Sequence, residues 1–368
     1  MAERPACDRI CVLRALQLGD LICAGPAFVA LRRRFPRARI TLVGLPWAAD
    51  FVRRMADWID EHVEFPGWPG LPEREPDLDR LPAFLDAMRA RAFDLGVQLH
   101  GDGRLSNGIV RALRPARMIG YRPSVEPAAG DGSVAARGDV NAWRDVNDSP
   151  AADPEAPMAA ECWPYPVGLH EVHRSLQLVG RLGAPTDDDQ VRFPLLAADH
   201  EELRARRPDL AALASGRYVC LHPGARDPAR WWPTACFAAV GDALAADGWM
   251  VVLTGSAAEH GLAEAVRGGM RAPVINAACD IPIGALAALL SRAAVLVCND
   301  TGVAHVAAGL GLPSVVVFLA SDPRRWAALD RSRHVALGGP GAVSAADALA
   351  AARRLLKGRT ATLEVQVA

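Results

Sequence analysis

Three turns of this 368-residue chain carry residues whose types and spacing could do chemistry. The first is Leu18-Gly19-Asp20-Leu21. Its carboxylate follows a short apolar strand and stands where a helix begins. There Asp20 either caps the helix through its side chain or acts as a general base. The second turn is HPGARDPARWWP, His222 to Pro233. Gly224 permits a ligand to come close. Arg226 and Arg230 put two planar guanidinium groups in one loop, which suits a diphosphate. A solvated loop with Trp232 packed on the core is the plain alternative. The third turn is CNDTGVAHVAAGLG, Cys298 to Gly311. Asn299 and Asp300 end an apolar strand. Thr301 and Gly302 open a small-residue helix, whose first N–H groups and dipole favour phosphate. His305, about one turn along, could reach the same phosphates or a ribose. Helix capping by Asp300 or Thr301, with a core histidine, is the structural alternative. A weaker signal is Glu259 in TGSAAEHG, a carboxylate after a strand that could accept ribose hydroxyls.

Two other patterns are weighed and set aside. His170 and His173 form H-x-x-H on a helix, but no H-E-x-x-H relation and no third ligand accompany them, so both are read as structural. The run Arg32 to Arg34, with Arg37 and Arg39, is read as a solvated helix face. Residues 1–60 nevertheless hold ten arginines against six acids, a weak attraction for anionic surfaces.

The elements that must hold these turns follow from periodicity. RICVLRAL is a strand, a helix runs from about Asp20 toward Phe35 past Pro26, and RITLVGL is the next strand. This β-α-β unit implies parallel strands. A helix near Ala48 to Met55 and strands at FDLGVQLHG and ARMIGY extend it. Residues 125–163, with eight acids and two basic residues, are read as a long acidic loop or lid. HEVHRSLQLVGRLGAP is a helix, and 186–215 a linker with a short helix from Asp199. From Tyr218 a second alternation runs through YVCLHPG, WMVVLTGS, APVINAA, VLVCND and PSVVVFLA to a terminal helix at Ser344 to Leu356. Two such arrays predict two doubly wound α/β domains, with ligands at the carboxyl ends of their strands.

Composition fits that frame. The length predicts two domains or one large one. The 41 basic and 42 acidic residues nearly cancel, which argues against a broad nucleic-acid binder. The 51% hydrophobic content excludes a disordered chain. Lys357 is the only lysine, a bias read as mostly compositional. Eight scattered cysteines without a C-x-x-C pair are read as reduced core residues of a cytosolic protein. No secretory signal and no membrane span are expected.

Four patches together resemble glycosyltransferase family 9, whose best-known members are ADP-heptose heptosyltransferases of lipopolysaccharide assembly. They are RALQLGDLICAGPAFVALRRRFPRARITLV, HPGARDPARWWP, LTGSAAEHG and VCNDTGVAHVAAGLGLPSVVVF. The resemblance implies a GT-B architecture of two Rossmann-like domains facing a cleft. The expected boundaries are 1–190 for an acceptor-side domain, 191–215 for a linker, 216–343 for a nucleotide-sugar domain, and 344–368 for a helix returning to the first domain. It implies inverting transfer of a sugar, heptose from ADP-heptose, to a hydroxyl of a cell-surface glycan or glycolipid. No metal and no cofactor are expected, and the ADP-sugar enters as donor substrate. Asp20 matches the family's catalytic aspartate. Arg226, Arg230, Thr301, Gly302 and His305 would hold the donor diphosphate, Asp300 would orient the loop's cation, and Glu259 would bind ribose. Family members commonly have Lys where Arg230 stands, which keeps the charge but changes reach and geometry. The expected partners are a nucleotide-sugar donor and a glycan or glycolipid acceptor, with no nucleic acid. The expected location is cytoplasmic, extending to peripheral contact with the inner membrane. The alternatives are a nucleotide-sugar-binding protein without transferase activity and a transferase using another nucleotide sugar. An epimerase is disfavoured, since G-x-G-x-x-G is absent and a lone lysine leaves no Tyr-x-x-x-Lys pair.

Overall fold

The computed structural model describes residues 7–124, 159–338 and 342–367, with 159 and 358–367 described by backbone alone. Contacts divide the chain into two units, Met1–Gln17 with Ala24–Asp189 and Leu18–Cys23 with Gln190–Ala368.

The first unit carries β1 (Arg9–Leu13), the part of α1 (Leu18–Arg34) from Ala24 onward, β2 (Arg39–Gly44), α2 (Ala48–Arg54), β3 (Glu61–Glu64) and α3 (Leu81–Ala90). It continues with β4 (Leu95–Gln98), α4 (Ser106–Ala112), β5 (Arg117–Arg122), β6 (Ala159–Pro164) and α5 (Glu171–Gly180). All pairings are parallel, in the order β3-β2-β1-β4-β5-β6. Central strands of such a sheet are covered on both faces, so they read as unbroken apolar runs. RICVL obeys this: all but Arg9 are buried. α1 starts earlier than the sequence predicts, at Leu18, and passes through Pro26 without ending. The acidic segment is corrected at its end. Residues 159–163 belong to β6, in register with β5, and 125–158 lie outside the described residues. The arginine run is not simply solvated: Arg32, Arg33 and Arg39 pair with Asp60, Asp187 and Glu61, which cancels much of the local excess.

The second unit carries α6 (Ala197–Arg206), α7 (Pro208–Ala211), β7 (Tyr218–His222), α8 (Thr234–Ala246), β8 (Met250–Leu253), α9 (His260–Gly269) and β9 (Val274–Asn276). It ends with α10 (Ile283–Leu290), β10 (Leu296–Asn299), α11 (Gly302–Leu310), β11 (Ser314–Phe318), α12 (Pro323–Trp326), β12 (His334–Gly338) and α13 (Ala345–Val367). Its parallel sheet runs β12-β11-β10-β7-β8-β9. Numbered from β7, that is the same winding as the first sheet. Each order reverses beside its first strand, between β1 and β4 and between β7 and β10. Ligands bind at these switch points, outside the strands' carboxyl ends.

Residues 191–215, expected as a linker, carry α6 and α7 and group with the second unit; α6 packs on α10. α13 was expected to return to the first domain. As far as Leu356 it packs into the second domain's core, where Ala348, Ala352 and Leu355 join Phe237, Leu253 and Val317. Trp232 is the largest side chain of that cluster. It is 2% exposed, meets Phe237 edge-on at 5.0 Å, and donates its indole N–H to the Val343 carbonyl at 2.9 Å. Trp232→Ala is expected to lower stability by about 3–5 kcal/mol in urea unfolding; a loss under about 1 kcal/mol would contradict this packing.

The eight cysteines are free thiols. Cys11, Cys23, Cys220 and Cys298 are buried, whereas Cys7, Cys162, Cys236 and Cys279 are half-buried, which corrects the core reading for those four. Burial pushes Cys11 up to about 12 and also raises Cys220 and Cys298.

Candidate active site

The HPGARDPARWWP loop leaves β7 and the NDTG turn leaves β10, so both sit at the second sheet's switch point. A network of side chains joins them. Asn299, at the end of β10 and fully buried, accepts the Trp232 N–H at 3.0 Å and donates to the Pro223 carbonyl at 2.7 Å. Asp300 follows, 3% exposed, and accepts from Arg230 Nη1 at 3.3 Å. The same carboxylate oxygen accepts from the Ser321 hydroxyl. Asp300 therefore holds a half-exposed guanidinium at the mouth of the turn. Within the loop, Asp227 caps a 3-10 turn, Pro228–Arg230, and Trp231 donates its indole N–H to the Ala225 carbonyl at 2.7 Å. Arg226 is exposed and has no ion pair among the described residues.

Thr301 takes the N-cap position of α11 with extended backbone, φ −151 and ψ 168, and its side chain makes no capping hydrogen bond. The first N–H groups of a helix have no intrahelical partner. The N-terminus of α11 thus presents donors and a positive dipole end a residue away from the Arg230–Asp300 pair. At the other end Gly311 adopts φ +67, a left-handed conformation suited to glycine that stops α11.

Glu259 lies across from the loop. Its Oε2 accepts from the Ser256 N–H and hydroxyl, both at 2.8 Å, and its carboxylate packs on Gly224 so closely that a Cβ there would overlap it. This is why the turn needs glycine. His222 sits beneath, 3% exposed, its Nδ1 3.1 Å from the Thr254 hydroxyl. Burial holds its pKa below the usual histidine range, against the opposing pull of the Glu259 carboxylate.

The first turns of α1, Leu18–Cys23, group with this unit. A Cβ on Gly19 would lie 2.6 Å from His305 Cδ2, and His305 Nδ1 is 3.4 Å from Cys23 Sγ. His305 is 7% exposed and meets Trp326 edge-on at 6.1 Å. Asp20 is half-buried in the same turn. It is not the N-cap residue: that position belongs to Gln17, which supplies no side-chain bond. The structure thus brings Gly19 and Cys23 against His305, Arg230 against Asp300, and Glu259 against Gly224.

His170 and His173 have structural partners. His170 Nδ1 accepts the Val172 N–H as the N-cap of α5, and His173 pairs with Asp189 at 3.0 Å. Among the described residues no group of three or more His, Cys, Asp or Glu is placed to hold a metal. Sequence reasoning missed the Asn299 and Ser321 contacts. It also missed a buried cluster in the first unit, where Glu171 bridges Arg14 and Arg174. Arg14 is 2% exposed and also donates to the Leu99 carbonyl. This cluster ties the segment after β1 to β4 and α5.

Two doubly wound parallel sheets, one with a cation-bearing loop at its switch point, define an α/β protein of the kind that takes ligands at the carboxyl ends of its strands. Residues 160–344 match the family model of glycosyltransferase family 9 (heptosyltransferase). The chain is 32% identical over 162 residues to lipopolysaccharide heptosyltransferase 3 of Escherichia coli, covering 43% of this chain and 47% of that one. A longer match of 24% identity joins 86% of this chain to 84% of lipopolysaccharide heptosyltransferase 2 of Salmonella typhimurium. The solved structure of the E. coli ADP-heptose lps heptosyltransferase II superposes with a TM-score of 0.69 at 19% identity, over 96% of this chain and 99% of that one. The fold is GT-B. The chain belongs to glycosyltransferase family 9 and is a glycosyltransferase of the heptosyltransferase type.

Proposed function

We propose that this protein is an inverting, metal-independent heptosyltransferase of lipopolysaccharide assembly, taking heptose from ADP-heptose to a hydroxyl of a glycan or glycolipid acceptor. The observation that carries the reading is Asp300 holding Arg230 beside the N-terminus of α11. Two kinds of positive potential converge there, a guanidinium and a helix end, and a departing diphosphate needs both. Asp20 takes the proton of the acceptor hydroxyl. The oxygen attacks the anomeric carbon from the face opposite the diphosphate, the bond to ADP breaks, and its electron pair goes to the β-phosphate oxygen. Arg230, Arg226, His305 and the N–H groups at Thr301 and Gly302 receive that charge. Glu259 accepts ribose hydroxyls through the oxygen that Ser256 does not occupy.

The relatives' names supply the donor and acceptor classes, and the cation and helix end beside Asp300 suit the donor's diphosphate. Among the described residues no helix is long and apolar enough to cross a membrane. The reading places the enzyme in the cytoplasm, with peripheral contact at the inner membrane where a glycolipid acceptor resides.

Thermal shift across nucleotide sugars tests the donor. ADP and ADP-heptose at 100 times their dissociation constants should stabilise by about 2.7 kcal/mol. Stabilisation by uridine or guanosine sugars with none by ADP-sugars would overturn the donor assignment. Gly224→Ala should push the Glu259 carboxylate aside. The expected result is about tenfold weaker ADP binding, roughly the loss of one charge-assisted hydrogen bond, at an unchanged unfolding midpoint. Unchanged ADP affinity would contradict ribose binding by Glu259.

A further inference from the structure

We propose that Asn299 is a positioning residue that sets the arginine loop for the donor diphosphate. The inference rests on the proposed donor site and deepens it. The loop runs from Pro223 to Trp232, and residues Arg226 to Ala229 are exposed. One fully buried amide holds both ends: its carbonyl accepts the Trp232 N–H and its NH2 donates to the Pro223 carbonyl. The orientation of the amide is unambiguous, since a backbone N–H only donates and a carbonyl only accepts. No other side chain of this size offers a donor and an acceptor in that arrangement; aspartate keeps only the acceptor. The next residue, Asp300, holds the loop's cation. Asn299 and Asp300 together thus fix the span of the loop and the direction of Arg230 before a ligand arrives. An exposed loop ordered in advance spends less of its binding energy on losing freedom. Asn299 touches no substrate in this scheme and acts through the loop's arginines, Arg226 and Arg230.

The test is a double-mutant cycle on the full chain, with ADP as the titrant in calorimetry. Asn299→Ala removes both bonds, and Asn299→Asp keeps the acceptor while replacing the donor with a buried negative charge, so the Ala variant is read first and the Asp variant gives a second reading if the first fails to fold. Unfolding midpoints are recorded first, and affinities are measured well below them. The expected result is a tenfold or greater loss of ADP affinity for each variant. The loss should appear in KM for the donor more than in kcat. Combined with the pair Arg226→Ala and Arg230→Ala, neither should weaken binding further than that pair alone. Additive losses, or wild-type ADP affinity in the Asn299 variants, would overturn the positioning role while leaving the donor site intact. Wild-type affinity in Arg230→Ala would instead overturn the donor-site reading beneath it.

Discussion

Replacing Asp20 by Asn or Ala is expected to abolish transfer while ADP binding stays within about threefold of the parent. A positioned general base contributes on the order of 10²–10⁴ in rate, and an alcohol acceptor without one is a poor nucleophile. The structure places this carboxylate inside the first turn of α1 and not at the N-cap position, which Gln17 occupies without a side-chain bond. Loss of a helix cap would have cost about 1 kcal/mol of stability and little activity. The two roles therefore separate cleanly: a catalytic aspartate loses rate at constant stability, and a structural one the reverse. A steady-state assay beside a thermal melt reads both. Near-parental turnover by Asp20→Ala would remove the mechanism.

Arg230→Ala is expected to lower kcat/KM for the donor by about 10²–10³, the usual loss when one donor aimed at developing charge is deleted. Arg230→Lys is expected to stay within about tenfold of the parent. The reasoning is geometric. Asp300 lies 3.3 Å from one guanidinium nitrogen and is itself held by Ser321. The remaining N–H groups of a guanidinium 39% exposed at the side chain are directed by that one anchor. A lysine ammonium can meet the same carboxylate and still carry the charge, at the loss of planar, two-toothed contact. Arg230→Ala also leaves Asp300 buried without its cation, so part of the loss is expected as a lower unfolding midpoint. Kinetics at saturating and limiting donor separate the contributions. Equal kcat/KM for Arg230→Ala and the parent would contradict phosphate binding by this loop.

Much of the architecture is legible because parallel sheets write themselves locally. Short, mostly apolar runs such as YVCLH and LVCN, bounded by turn signals and too short for helices, read as buried strands, and the turn after each is where small and charged residues gather. The parts that escape are those whose cause is distant or whose signal is weak. β3 is EHVE, a charged edge strand with no face to bury completely. Helices α6 and α7 look like linker because their sequence is polar, and only packing on α10 gives them a place. Asn299 was visible as a residue but not as a staple, because both its partners are main-chain groups on a loop 67 and 76 positions away. Glu171 with Arg14, separated by 157 positions, is a similar case. The Asp20 turn, the arginine loop and the NDTG turn were readable because each is a short local arrangement. What the structure adds is their joining, Asp300 to Arg230 and Gly19 to His305.

The most direct measurement is a transfer assay with purified protein, ADP-heptose and lipopolysaccharide acceptors truncated at the inner core, run with and without EDTA. The account predicts ADP released in step with heptosylated acceptor, a new linkage of inverted anomeric configuration, and a rate unchanged by the chelator. Tight binding of ADP-heptose with no product on any acceptor would contradict it, leaving a nucleotide-sugar-binding protein in place of a transferase.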